Sequence, residues 1–126
     1  MPVGTLKAVL LAGAGSFFGG AARYLVSLAL KSASKGFPWA TLAANLAGCL
    51  LIGLLWGWFS RSATGGDGLM LFLMVGFCGG FTTFSTFSKE ALILLQSGSV
   101  WGFAAYVTVS VAVGVAAVAL GFSLTR

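Results

Sequence analysis

One run of the sequence differs from everything around it: Val75-Gly76-Phe77-Cys78-Gly79-Gly80-Phe81-Thr82-Thr83-Phe84-Ser85-Thr86-Phe87-Ser88. It combines three glycines, five hydroxyl side chains and four phenylalanines. That mixture is too polar for a helix surface in lipid and too apolar for an exposed loop. Apolar residues flank the run on both sides, so it lies near the middle of a membrane crossing. We expect it to face protein or a polar cavity at membrane depth, which is typical of a transport site.

The rest of the chain reads as membrane-spanning helix. Of its 126 residues, 59% are hydrophobic and 7% are charged. Four apolar segments, at about residues 6–30, 37–59, 69–96 and 100–124, are each long enough to cross a hydrocarbon core of about 30 Å. The sequence predicts an all-α integral membrane protein with one four-helix transmembrane domain over residues 1–126. Because no soluble domain is left over, its function must lie in the membrane.

The third segment is the longest. An unbroken helix over residues 69–96 would be about 42 Å long, well beyond the hydrocarbon thickness. We expect this helix to be broken near its middle, with Gly76, Gly79 and Gly80 marking the place. Interrupted helices expose main-chain groups that bind ions in transporters.

Aromatic and hydroxyl side chains are interleaved after the glycines. Phe84 and Phe87 share one helical face, beside the hydroxyls of Thr83, Ser85 and Thr86. These rings are either a packing face or, because a phenyl ring has a positive edge, part of an anion pathway. Weak contacts of this kind suit conduction, since an ion must enter and still leave.

Two other spans carry polar stripes that either pack or face the same pathway. They are Thr41, Asn45 and Gly48 in the second span, and Tyr106, Ser110 and Gly114 in the last. Arg23, late in the first span, either reaches a lipid headgroup or attracts anions at a pore mouth.

The charge pattern argues against several classes of protein. The basic residues are scattered, so there is no nucleic-acid surface. With no histidine, two acidic residues and two dispersed cysteines, no general-base pair or metal cluster is expected, and the chain is not an enzyme. With four spans, Lys7, Arg61 and Arg126 are expected on one side of the membrane, and Lys31 and Lys35 on the other. This weak bias predicts insertion in both orientations and an antiparallel, dual-topology homodimer.

Residues 79–88 closely resemble the GG-x-TTFSTFS signature of the Fluc (also called CrcB) fluoride channels. The likeness extends to the chain length, the four spans, Arg23, and Asn45 with nearby Gly48. It implies a passive fluoride-selective channel in the bacterial inner membrane, surrounded by lipid. Such a channel confers fluoride resistance by exporting fluoride from the cytoplasm, where hydrogen fluoride that enters as a neutral acid dissociates.

The resemblance also implies roles for individual residues. Phe84 and Phe87 would line the pore, with Asn45 and Ser110 as donors and Tyr106 beside it. A polar track would comprise Thr83, Ser85, Thr86 and Glu90, and Arg23 would line the vestibule. A structural Na⁺ at the dimer interface would be bound by main-chain oxygens of Gly79 and Thr82, ligands that suit a hard cation.

A competing hypothesis is a small multidrug-type exporter, which has a similar size and four spans. Proton-coupled drug export needs a membrane-embedded carboxylate. Only Asp67, expected in a loop, and Glu90, near the end of a span, are acidic. A scaffold without transport would leave the glycine, phenylalanine and hydroxyl run unexplained.

Overall fold

The computed structural model describes residues 4–61 and 66–126, and within these ranges every regular element is helical. Four helices are long and apolar enough to cross a membrane: Thr5–Ala29, Trp39–Arg61, Gly66–Gln96 and Val100–Thr125. Helices satisfy their own backbone hydrogen bonds, which is why apolar runs of this length fold as spans. The predicted all-α architecture with four membrane-spanning helices is confirmed.

We number the helices in chain order: α1 (Thr5–Ala29), α2 (Trp39–Arg61), α3 (Gly66–Met70), α4 (Gly79–Phe81), α5 (Phe84–Gln96) and α6 (Val100–Thr125), with a π-helical segment at Leu71–Cys78. Asp67, expected in a loop, lies in the first turn of α3. Two residues of extended backbone separate α4 from α5, namely Thr82 (φ −96°, ψ 160°) and Thr83 (φ −150°, ψ 124°). We call Thr82 and Thr83 the extended pair.

The glycines of the third span have a different use from the one we expected. Gly76, Gly79 and Gly80 all lie within helical segments, and the non-helical residues are the extended pair that follows. A Cβ on Gly76 would lie 2.8 Å from the Cα of Gly15, and one on Gly80 would lie 2.6 Å from the carbonyl oxygen of Ser16. The glycines at 76 and 80 therefore let α1 approach the third span at backbone distance.

Close packing also joins α2 to α6. A Cβ on Gly121 would lie 2.6 Å from the Leu54 nitrogen, and Thr125 Oγ1 donates to the Leu54 carbonyl at 2.7 Å. The buried apolar cluster is small and comprises Leu42, Ala91, Leu94 and Tyr106. Most other large apolar side chains are exposed, as expected for helices whose outer surface meets lipid.

Candidate functional site

The extended pair lines a groove of about 640 Å³ that lies between α2, the third span and α6. Five residues predicted from the sequence as pathway residues line it: Asn45, Thr83, Phe84, Phe87 and Ser110. Gly79 and Thr82, predicted as main-chain ligands of sodium, also line it. The fold thus gathers side chains that lie far apart in the sequence around one site.

The two phenylalanines stand side by side in the groove. Because α5 begins at Phe84, Phe87 falls on the same helical face. Their ring centroids are 5.9 Å apart with planes inclined at 42°. Phe84 is 79% exposed, whereas Phe87 is partly buried against Tyr106 at a centroid distance of 5.0 Å. Phe84 therefore presents most of its ring to whatever occupies the open side of the groove.

The side chain of Asn45 binds the extended pair through both of its polar atoms. Its amide nitrogen donates to the Thr83 carbonyl at 3.1 Å, and its amide oxygen accepts from the Thr83 N–H at 2.8 Å. In a continuous helix that N–H would bond to the Gly79 carbonyl four residues earlier. Asn45 therefore substitutes for the helix at this point and leaves the Gly79 oxygen without that bond.

Thr83 also starts the next helix. Its hydroxyl accepts from the Thr86 N–H at 3.2 Å, which is an N-cap bond. The Ser85 hydroxyl, which is exposed, lies 3.5 Å from the Thr83 hydroxyl. The Thr83 hydroxyl thus stabilises the start of α5, immediately before Phe84, and the Ser85 hydroxyl lies beside it.

Ser110 is the unusual polar residue of the site. Its hydroxyl oxygen is buried and has no hydrogen-bond partner within the described residues. A buried donor of this kind costs about 1–3 kcal/mol if it stays unpaired. Ser110 also lines the groove, so the groove contains a hydroxyl whose hydrogen-bonding capacity is unused within the described residues.

Three other predicted residues line a second cavity, a cleft of about 450 Å³ beside α1. They are Arg23, Thr86 and Glu90, and Lys31 lies with them. Tyr106 connects the two cavities, because its ring packs on Phe87 while its hydroxyl donates to Glu90 Oε1 at 3.0 Å. Tyr106 itself is fully buried. The predicted site residues therefore form two neighbouring cavities with a buried tyrosine between them.

Some groove and contact residues were not assigned a site role from the sequence. Cys49 and Cys78 line the groove, although the sequence indicates no more for them than two dispersed cysteines. Ser16, which was also given no role, donates to the Gly76 carbonyl at 3.2 Å. For Arg23, which was assigned to the vestibule, the sequence did not show that its Nε donates to the Gly80 carbonyl at 3.3 Å. For Cys49 a signal existed, because it follows Asn45 by four residues and therefore shares its helical face.

Comparison with known proteins places the chain in a family. Residues 10–122 match the family described as "CrcB-like protein, Camphor Resistance (CrcB)". A protein of Chlorobium phaeobacteroides called "Fluoride-specific ion channel FluC" is 43% identical over 119 residues, which cover 94% of this chain and 93% of the relative. The protein of the same name from Desulfotalea psychrophila is 42% identical over 125 residues, 99% of this chain and 94% of the relative.

A third relative with that name, from Chlorobium luteolum, is 45% identical over 113 residues, 90% of this chain and 88% of the relative. The resemblance seen in residues 79–88 therefore extends along nearly the whole chain. Together with its four apolar helices, this similarity makes the chain a multi-pass protein of the cell membrane and a member of the CrcB family.

Proposed function

We propose that this protein is a fluoride-selective channel that lets cytoplasmic fluoride leave the cell passively, with the groove at the extended pair as part of the ion pathway. The observation that carries the proposal is the buried, unpartnered hydroxyl of Ser110, among the described residues, in a groove that also holds Phe84, Phe87 and Asn45. The relatives' name, "Fluoride-specific ion channel FluC", supports the choice of ion.

The chemistry of the groove suits a small, strongly hydrated anion. Fluoride gives up water only where donors replace it closely. Ser110 offers a free hydroxyl, and the Asn45 amide carries two N–H bonds, of which one is bound to the Thr83 carbonyl. The edges of Phe84 and Phe87 add weak positive potential. No lysine or arginine is among the described lining residues, so no formal charge would trap the ion.

The functional unit in this proposal is an antiparallel homodimer of dual topology, in contact with lipid over its outer surface. The exposed ring of Phe84 and the open side of the groove support a second copy as the cover. The weak bias of basic residues between the two sides of the membrane supports insertion in both orientations. The extended pair would then be the membrane-level break of the third span.

The main-chain oxygens at the extended pair suit a structural sodium ion. The Gly79 carbonyl lacks the bond from Thr83 N–H, which goes to Asn45 instead. Thr82 is extended, and the Thr86 N–H that would follow it in a helix donates to the Thr83 hydroxyl. Carbonyl oxygens released in this way suit a hard cation. When bound, Na⁺ would be coordinated by the main-chain oxygens of Gly79 and Thr82.

The test is ion efflux from liposomes loaded with fluoride or chloride, with wild type, Phe84→Ile and Phe17→Ile. We expect fast fluoride loss, negligible chloride loss, and a decrease of about fivefold to tenfold in Phe84→Ile, the equivalent of an aromatic contact of about 1 kcal/mol. Phe17 is a matched control, because it is 71% exposed on α1 and outside the groove.

Two results would contradict the proposal. Correctly folded wild type without fluoride flux would exclude a channel, and uptake of a cationic dye coupled to protons would then favour the exporter. Equal losses of flux in Phe84→Ile and Phe17→Ile would remove Phe84 from the pathway.

A further inference from the structure

Arg23 makes a directed bond from the first span to the third. Its Nε–H donates to the Gly80 carbonyl at 3.3 Å, and the side chain is half-buried. The backbones are already in contact at this point, since a Cβ on Gly80 would lie 2.6 Å from the Ser16 carbonyl oxygen. Arg23 therefore reaches the third span at a residue, Gly80, whose backbone is in contact with α1.

The Gly80 carbonyl needs a donor because of the extended pair. In an unbroken helix it would accept from the N–H of Phe84. Phe84 instead begins α5 after two extended residues. A carbonyl left unpaired at membrane depth is strongly unfavourable, because the hydrocarbon region holds no water to act as the donor. Arg23 supplies the missing donor on one side, as Asn45 does for Thr83 on the other.

We propose that Arg23 is a positioning residue of the ion pathway: its Nε–H holds the Gly80 carbonyl and thereby fixes the extended pair that places Phe84 in the groove. This inference rests on the proposed function. It differs from the vestibule role implied by the family resemblance, in which only the positive charge of Arg23 matters. Here the direction of one N–H bond matters more than the charge.

Three substitutions separate the bond from the charge. Glutamine carries its amide nitrogen at the same side-chain position as arginine Nε, so Arg23→Gln keeps a donor there and removes the charge. Arg23→Met puts a methyl group at that position and removes both. Arg23→Lys keeps the charge, but its nitrogen lies one atom farther out and has no planar geometry.

If the bond is what matters, Arg23→Gln retains fluoride flux within about threefold of wild type, because its neutral hydrogen bond is weaker than a charged one but still made. Arg23→Met and Arg23→Lys each lose at least about tenfold, as expected when a buried carbonyl loses a charge-assisted hydrogen bond. The fluoride-to-chloride flux ratio should also fall in Arg23→Met, since Phe84 would no longer be fixed.

The experiment is efflux of fluoride and of chloride from liposomes, at equal amounts of protein that elutes like wild type from a sizing column. The flux ratio is the deciding readout, because a side chain that only stabilised the fold would change the amount of correctly eluting protein and not the ratio. Lys31→Met is the matched control: Lys31 lines the same cleft, but no bond from its side chain to the third span is among those the structure describes. It should leave the ratio unchanged.

The outcomes distinguish the two levels of the proposal. Wild type without fluoride flux overturns the proposed function and this inference with it. Conducting wild type with Arg23→Lys active and Arg23→Gln as poor as Arg23→Met overturns the inference alone and assigns Arg23 a charge role. Near-wild-type flux in all three variants also overturns it. If Arg23→Met does not fold, the comparison of Arg23→Gln with Arg23→Lys decides.

Discussion

The side chain of Asn45 and the main chain of Thr83 are joined by two hydrogen bonds of opposite direction, 3.1 Å from the amide nitrogen and 2.8 Å to the amide oxygen. An amide can donate and accept in this paired way without carrying a charge. Asn45 thus acts on the third span as a neighbouring strand would, and it stabilises an extended residue between two helices.

This pairing predicts the effect of Asn45→Asp. The carboxylate still accepts from the Thr83 N–H, but it cannot donate to the Thr83 carbonyl and it adds negative charge to the groove. We expect fluoride flux to fall by more than about tenfold. The carboxylate would repel the Thr83 carbonyl oxygen to which the amide donated, and it would also repel the fluoride ion. Liposome efflux at neutral pH measures this.

Asn45→Gln is the control, since it keeps the amide and changes only its reach. If Asn45→Asp conducted fluoride as well as wild type, neither the paired bond nor the anion pathway beside Asn45 could be correct.

Ser110→Ala should separate stability from function. The substitution removes a buried hydroxyl that has no partner within the described residues. We expect the free energy of unfolding to stay constant or to rise by up to about 1 kcal/mol, because the desolvation cost of the orphan group disappears. Fluoride flux should nevertheless fall, because the groove loses its free donor.

The measurements are thermal unfolding in detergent and liposome efflux, with Ser123→Ala as control. Ser123 is exposed on the same helix, α6, and should change neither quantity. A clear loss of stability in Ser110→Ala would mean that the hydroxyl has a structural partner, and it would remove the main support for an anion at this place.

The glycine contacts predict a contrast between packed and open glycine positions. Gly76→Ala brings a Cβ to within 2.8 Å of the Gly15 Cα, whereas a Cβ on Gly79 meets nothing within 4 Å in the protomer. We expect Gly76→Ala to lower the free energy of unfolding by about 1–3 kcal/mol, the usual cost of overpacking. Gly13→Ala, also in open space, should be close to wild type.

Denaturant or thermal unfolding in detergent tests this contrast. Equal stability of Gly76→Ala and Gly13→Ala would mean that α1 and the third span are not in backbone contact. If the proposed homodimer forms through the open face of Gly79, Gly79→Ala should weaken it and leave the fold of the single chain intact.

Much of the architecture could be predicted because apolar length alone specifies a spanning helix. The run at residues 75–88, whose hydroxyls and rings are out of place in lipid, contains several of the residues that line the groove. The polar stripes placed Asn45 and Ser110 on helical faces, and the fold brings both to the groove beside Phe84. Side chains whose chemistry is unusual for the surrounding lipid can therefore be recognised in the amino-acid sequence itself.

The positions of individual bonds could not be predicted, because they depend on where neighbouring helices lie. A glycine is both flexible and small, and only the nearness of α1 shows that Gly76 and Gly80 serve close packing. In the same way, the sequence does not show which group the side chain of Arg23 contacts. Its bond to the Gly80 carbonyl exists only because α1 and α4 meet at that level.

The proposed sodium site predicts which substitutions leave sodium binding intact. Its ligands would be main-chain oxygens, so Thr82→Val keeps the carbonyl and loses only the hydroxyl that donates to the Cys78 carbonyl at 2.9 Å. When the Na⁺ concentration is a hundred times the Kd of the site, binding stabilises the folded state by about 2.7 kcal/mol. We therefore expect the unfolding temperature to drop when Na⁺ is replaced by N-methylglucamine, in wild type and in Thr82→Val alike.

Thr82→Val itself should lower the unfolding free energy by about 1 kcal/mol in both salts, the typical value of one hydrogen bond. Thr108→Val, an exposed threonine on α6, is the control and should behave as wild type. If the sodium effect vanished in Thr82→Val but not in Thr108→Val, the hydroxyl would be the ligand in place of the carbonyl. If wild type showed no difference between the two cations, the main-chain oxygens of Gly79 and Thr82 would not hold sodium, and the extended pair would be held without an ion, by the bonds from Asn45 and Arg23.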